Sequence, residues 1–215
     1  MPFNITDFTA ELNKGGIARG DFFEVVFTSL PPKVVQSVNR STLLGPSYFT
    51  ILDGLRFRAE SVTVPQRAIT PIEYKDYGAP FKIGSTANYV EIDMTFILSS
   101  DMRERNFFLA WQDVIAGNHR LQSGNARGSS FDLGYFDEYK CDGIEIIHYE
   151  GGKEIAPSYI PQLRDAYPLN VGVVTRSWAS AEILKQSVTF TYRYFSEKPS
   201  GFVATPLRPE RVGRN

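Results

Sequence analysis

The chain has 215 residues, of which 42% are hydrophobic and 22% charged, with a formal net charge of −1. That profile fits a soluble globular protein long enough to bury a real core, and it excludes the basic field that draws a chain to nucleic acid. A single cysteine, Cys141, excludes an internal disulfide and fits a reducing compartment.

In chain order, the start MPFNITDFTAELNKGG has no basic segment followed by an apolar run, so no signal peptide is expected. No apolar stretch approaches the roughly 20 residues that span a bilayer. Residues 6–13 carry helical spacing (Phe8, Leu12) that Gly15 and Gly16 stop. Residues 21–30, DFFEVVFTSL, form a β-prone run ended by Pro31 and Pro32. Residues 33–54 show weak periodicity and three breakers, Gly45, Pro46 and Gly54, and read as an insertion with one short helix. Residues 55–65 alternate Leu55, Phe57 and Ala59 against Arg56, Arg58 and Glu60, a strand pattern.

Residues 65–84 place Tyr77-Gly78 between two extended arms, each with a proline (Pro71, Pro80), and predict a long hairpin. Its arms carry Arg67, Ile69, Ile72, Tyr74 and Phe81, a mixed and modestly apolar set. Exposed hairpins of that composition often pair with another chain. Residues 87–99 give the clearest strand: Val90, Ile92, Met94, Phe96 and Leu98 on one face, Tyr89, Glu91, Asp93 and Thr95 on the other. The carboxylate-bearing face must turn to water or to a polar cavity.

A helix follows. Asp101 and Glu104 have capping-box spacing, Phe107, Phe108, Trp111, Val114 and Ile115 form an apolar stripe, and Gly117 supplies the stop. The stripe predicts a lid packed on a sheet, with Phe107, Phe108, Trp111 and Ile115 in the core, while Arg103, Arg105, Gln112 and Asp113 face water. Residues 120–134 are a Gly/Ser/Asn-rich loop, and residues 141–157 read as a hairpin around Gly151-Gly152. The last predicted strand, residues 183–195, alternates Val188, Phe190, Tyr192 and Tyr194 with Ser187, Thr189, Thr191 and Arg193. From Glu197 to residue 215 the tail is extended, with three prolines and four basic residues. There is no internal repeat and no linker, so residues 1–215 read as one mainly β domain with a packed α-helix.

The search for chemistry is nearly empty. The sequence lacks a phosphate loop, a dinucleotide fingerprint, a nucleophile elbow and paired histidines at helical spacing. His119 and His148 have no spaced metal partner, Cys141 has no nearby histidine, and the triplets at Asn4 and Asn39 mean nothing without secretion. Glu91 and Asp93 share a strand face, but no second group completes an acid/base site. No enzyme, cofactor or metal is expected.

Four stretches in order resemble the tail tube proteins of contractile-tailed, T4-like bacteriophages. They are ARGDFFEVVF; the Ala59-to-Pro65 strand running into the hairpin that ends at Gly84; the strand NYVEIDMTFILS followed by the Phe-x-x-Trp helix (Phe108, Trp111); and the Tyr167-Pro168-Leu169-Asn170-Val171-Gly172 turn with Trp178 and the last aromatic strand. Residues 33–54 and the tail beyond Phe195 are longer than the family pattern.

The resemblance implies a β-barrel or sandwich that assembles into hexameric rings, stacked as the inner tube of a contractile tail, through which genomic DNA is ejected. It implies self-assembly, with tail sheath, baseplate, tail terminator and tape measure proteins as partners, DNA held without sequence-specific binding, no membrane, and a place in the virion after assembly in the host cytoplasm. On that reading Glu91, Asp93, Thr95, Thr189 and Thr191 line the bore, and Arg67, Ile69, Ile72, Tyr74, Tyr77 and Phe81 make the inter-subunit hairpin. A baseplate tube initiator of the same fold and a type VI secretion needle tube protein are the alternatives within the superfamily. An oligonucleotide-binding barrel, marked by salt-dependent DNA affinity, is the alternative outside it.

Overall fold

The run Phe23–Ser29 is rich in β-branched and aromatic residues, and it forms β1; Val25 and Phe27 point to one side of it and Val26 to the other. The computed structural model describes residues 5–6, 9–10, 20–41, 48–116, 133–149, 157–179 and 182–198. After β1 come α1 (Pro32–Ser41), α2 (Tyr48–Arg58), β2 (Ala59–Val62), β3 (Arg67–Tyr74), β4 (Phe81–Tyr89), β5 (Ile92–Ile97) and α3 (Arg103–Ala116). A single turn, α4 (Phe136–Tyr139), then leads into β6 (Gly143–Tyr149), β7 (Pro157–Arg164), β8 (Tyr167–Val171), β9 (Lys185–Thr191) and β10 (Tyr194–Lys198).

The architecture is mainly β. One antiparallel sheet has the order β1-β6-β7-β10, a second β2-β5-β9-β8, and β3-β4 stands apart as a two-stranded ribbon. The two larger sheets do not close into a barrel; of the barrel or sandwich expected, the sandwich forms. Its core takes Val25, Phe27, Ile144 and Ile146 from the first sheet and Ile92, Met94, Phe96, Val188 and Phe190 from the second. Phe27 and Phe190 meet across it with ring centroids 6.3 Å apart.

Helix α3 closes the gap between the sheets. Phe107, Phe108 and Trp111 are fully buried, and Ile115 packs at the margin. Trp111 lies edge-on to Phe27 and to Phe190, at 6.4 and 6.2 Å, and its indole Nε1 donates to the Tyr139 carbonyl at 2.8 Å. The cap differs from the expected box. The helix begins at Arg103, Met102 takes a left-handed φ of 55°, and Glu104 reaches back to Ser99 instead of Asp101. The polar side differs as well: Arg105 donates to the Gly172 carbonyl at 2.8 Å and Gln112 to that of Leu169 at 3.2 Å, so both tie the helix to the β8 segment.

Other differences have readable causes. Residues 33–54, expected to hold one short helix, contain α1 and most of α2, and residues 55–58, expected as strand, are the last turn of α2. Tyr48, Ile51, Leu52 and Leu55 recur at three and four and are all buried, a helical stripe that Gly54 interrupts in the sequence without breaking the structure. Val34 and Val38 do the same for α1, whose first residue is Pro32, a position where a missing N–H costs nothing. Phe57, expected on an apolar strand face, is therefore exposed. The strand expected over 87–99 is two strands. β4 runs to Tyr89, the chain breaks at Val90 and Glu91, and β5 begins at Ile92, which leaves Val90 exposed. The expected last strand also divides: β9 pairs in the second sheet and β10 in the first, with Tyr192 buried at the crossing and Tyr194 exposed. The Tyr167–Val171 piece, taken as a turn, is the strand β8. The helical spacing at 6–13, the loop at 120–134, the turn at Gly151-Gly152, His119 and the tail after Lys198 fall wholly or mostly outside the described residues.

Candidate assembly surfaces

The outward face of the second sheet is polar because β5 and β9 alternate in phase. Ile92, Met94, Phe96, Val188 and Phe190 take the core side, which turns Asp93, Thr95, Ser187 and Thr189 outward. The register sets Asp93 opposite Thr189 and Thr95 opposite Ser187, and Asn170 of β8 lies opposite Thr189 on its other flank. Thr189 Oγ1 donates to Asp93 Oδ1 at 2.6 Å. Of the residues expected to line a bore, Asp93, Thr95 and Thr189 thus come together. Thr191 lies further along β9 opposite Tyr167, and Glu91 sits exposed in the break between β4 and β5, off the sheet. Basic charge on this face is answered locally, since Lys185 pairs with Glu60 of β2. Arg193 has left the strand and lies 3.5 Å from Asp165.

The ribbon β3-β4 projects from this body. Eight pairs from Arg67–Tyr89 to Tyr74–Phe81 zip its arms, and Gly78, with φ of 106°, makes the tip turn that a side chain would strain. A register shift next to Pro71 puts Ile72, Tyr74, Phe81 and Ile83 on one side of its outer half, with Glu73 and Lys82 on the other. All four apolar residues are about half exposed, and Tyr77 is fully exposed. The arms therefore do carry a continuous apolar face, short and unburied. Near the base Arg67 stacks over Tyr89 and Phe195, and Ile69 is exposed.

A third feature escaped the sequence reading. Residues 173–179 and 182–184 lie at the surface, and the chain is pinned on either side of them. Gly172 N donates to the Ser187 carbonyl at 2.8 Å, a Cβ at Gly172 would meet that oxygen at 3.0 Å, and Gln186 with Arg105 holds the Gly172 carbonyl. Leu98 N donates to the Leu184 carbonyl at 3.0 Å. Between these ends Val173, Trp178 and Ile183 are exposed.

The ionisable groups that are buried are structural. For Glu104, burial alone would raise the carboxyl pKa, but hydrogen bonds from the Ser99 hydroxyl at 2.6 Å and backbone at 2.9 Å, with Arg103 beside it, hold it below the usual carboxylate range. Burial pushes the Cys141 thiol up to about 12, so it stays protonated and donates to the Ser29 carbonyl. Burial lowers the pKa of His148 in β6, and its buried Nε2 has no hydrogen-bond partner among the described residues. Glu145 is buried against Lys198 and Gln162. Among the described residues no three acidic, histidine or cysteine side chains gather as a metal site requires, and no helix is long and apolar enough to cross a membrane.

Comparison with solved structures finds the same fold. A chain of the PVC extracellular contractile injection system, in its extended sheath–tube complex, is similar at a TM-score of 0.53 and 14% identity, covering 88% of this chain and 97% of that one. The tube-terminating cap of the anti-feeding prophage gives 0.53 and 14%, over 85% and 91%. A chain of the anti-feeding prophage baseplate gives 0.52 and 10%, over 85% and 96%. No match is found among curated proteins. The family model for phage tail tube protein matches residues 18–198. The sandwich, the free ribbon and that match over most of the sequence agree, and the chain belongs to the phage tail tube protein family.

Proposed function

We propose that six copies of this chain close into a ring, that rings stack into the inner tube of a contractile tail, and that the outward face of the second sheet lines the bore. The observation that carries this is the Asp93–Thr189 row, an uncovered sheet face bearing hydroxyls and a carboxylate, with its one lysine already paired. A conduit for DNA must not hold phosphate, since every free Lys or Arg repeats a counterion-releasing contact on each ring. The edge strands β2 and β8 of that sheet suit pairing with neighbouring subunits, which removes open edges. The family is one of structural tube proteins, which speaks for a non-enzymatic role in the virion tail. Sheath, baseplate, terminator and tape measure proteins are then its partners, with assembly in the host cytoplasm. Residues 33–54 build core helices rather than an appended cap, which favours the tube subunit over a baseplate initiator.

Negative-stain micrographs of the purified chain test the assembly: rings or tubes support it, and a monomer with salt-dependent DNA affinity points to a binding barrel instead. The bore is tested by changing Asp93 to Lys. Tubes should still form, and DNA ejection should slow. Ejection at the normal rate would remove the lumen assignment.

A further inference from the structure

The ribbon leaves the body through two short linkers. On one arm residues 63–66 follow β2, and Thr63 N donates to the Asp93 carbonyl at 3.0 Å. On the other, Val90 and Glu91 separate β4 from β5. Neither linker belongs to a sheet, and the arms of the ribbon pack chiefly on each other. A two-stranded element joined in this way swings unless side chains fix it.

One cluster bridges that junction. Arg67, the first residue of β3, and Tyr89, the last of β4, are paired at the ribbon base. The Arg67 guanidinium lies over two rings, 5.9 Å from the centroid of Tyr89 and 5.5 Å from that of Phe195 in β10. Tyr89 meets Phe195 edge-on at 5.9 Å and Tyr192 at 6.1 Å, and Tyr192 lies 6.5 Å from Phe195. The Tyr192 hydroxyl also donates to the Gln66 carbonyl, in the linker, at 3.4 Å. Tyr192 is buried where the chain crosses between sheets, and Tyr89 and Phe195 pack against the core, so the receiving rings are held by the body. Among the described residues Arg67 forms no ion pair, which leaves the rings as what receives its charge. Along β3 the alternation sets Arg67 on the side opposite Ile72 and Tyr74. The body therefore grips the ribbon by the side that does not carry the apolar row.

We propose that Arg67 is a latch: its guanidinium, seated against Tyr89 and Phe195, fixes the direction in which the ribbon leaves the body. A fixed direction removes an ordering cost from any contact the ribbon makes afterwards. The latch lies within one chain and does not depend on the tube reading.

Distances between paired spin labels test it. The labels go on Asp76→Cys at the ribbon tip and Gln36→Cys on α1, both exposed, while buried Cys141 stays unlabelled. Dilution into unlabelled chain confines each measured pair to one subunit. The chain with Arg67 intact should give one narrow distance distribution. Arg67→Ala and Arg67→Met should each broaden it at an unchanged melting temperature, and Arg67→Lys, which keeps a cation, should recover part of the narrowness. Amide exchange at residues 67–70 and 86–89 should quicken about fivefold in Arg67→Met. A distribution as narrow in Arg67→Met as in the parent means that the rings hold the aliphatic stem, and the latch is wrong. A broad distribution with Arg67 intact overturns it as well. So does a fall in melting temperature with the distances unchanged, which makes Arg67 a residue of the fold alone.

Discussion

The sandwich body and the projecting ribbon are built from the same alternating pattern, and they end in opposite states. In β5 the residues Ile92, Met94 and Phe96 face Phe108, Phe190 and the rest of the core, and none is accessible beyond 1%. In β3 and β4 an equivalent row, Ile72 and Tyr74 with Phe81 and Ile83, stays about half exposed. Propensity and pattern are equal; what differs is cover. Helices α1, α2 and α3 complete the body, whereas among the described elements the arms of the ribbon pack chiefly on each other. An apolar face left uncovered has the composition of an interaction surface, so the contrast lies between residues that keep the subunit folded and residues left open to another molecule.

That separation can be broken by substitution. Trp111→Ala removes the largest fully buried side chain and the indole bond to Tyr139, and should cost about 3–5 kcal/mol. Chemical denaturation measures this; an unchanged midpoint with failed ring formation would place the stripe on the wrong surface. Glu104→Gln should cost less, roughly 1–3 kcal/mol at neutral pH. The sign follows from its depressed pKa. The carboxylate contributes stability above the ordinary unfolded value near ~4.3, and that contribution is lost as pH falls through the lower folded value. The unaltered protein should therefore lose stability in acid more steeply than Glu104→Gln, and superimposable pH profiles would contradict this. Deleting residues 74–79, the ribbon tip, should have the smallest effect on stability, leaving the melting temperature nearly unchanged while polymerisation disappears. Normal tubes from that deletion would erase the distinction between body and ribbon.

Much of the body was legible because burial imposes a period. The inward residues of β5 and β9 and the stripe of α3 follow from spacing alone, and Tyr77-Gly78 marks the ribbon tip. What stayed hidden depends on contacts distant in sequence. Nothing local says that the chain leaves one sheet for the other between Thr191 and Tyr194: the alternation continues through Tyr192, and only the packing of Tyr192 and the Arg193–Asp165 pair reveals the crossing. Gly54 and Pro46 disguise α2, although its buried stripe is present in the sequence. On the assembly surfaces, the Asp93–Thr189 row was foreseeable from two alternating strands. Glu91 leaves the sheet because the strand breaks at Val90, and no proline or glycine announces that break. The surface segment after Gly172 has no periodic signal at all.

The distance between pairing strands has a kinetic consequence. The ribbon closes between neighbours in sequence, an event of about 1–10 μs for a hairpin. β1 must instead find β6 across most of the chain; Thr28 and Gly143, which hydrogen-bond at that junction, are 115 residues apart. Pairings of such range make folding slow. The apolar ribbon face therefore forms well before the sandwich that carries it is complete. An apolar face that forms early stays open to water for as long as the long-range pairings of the sandwich take to complete.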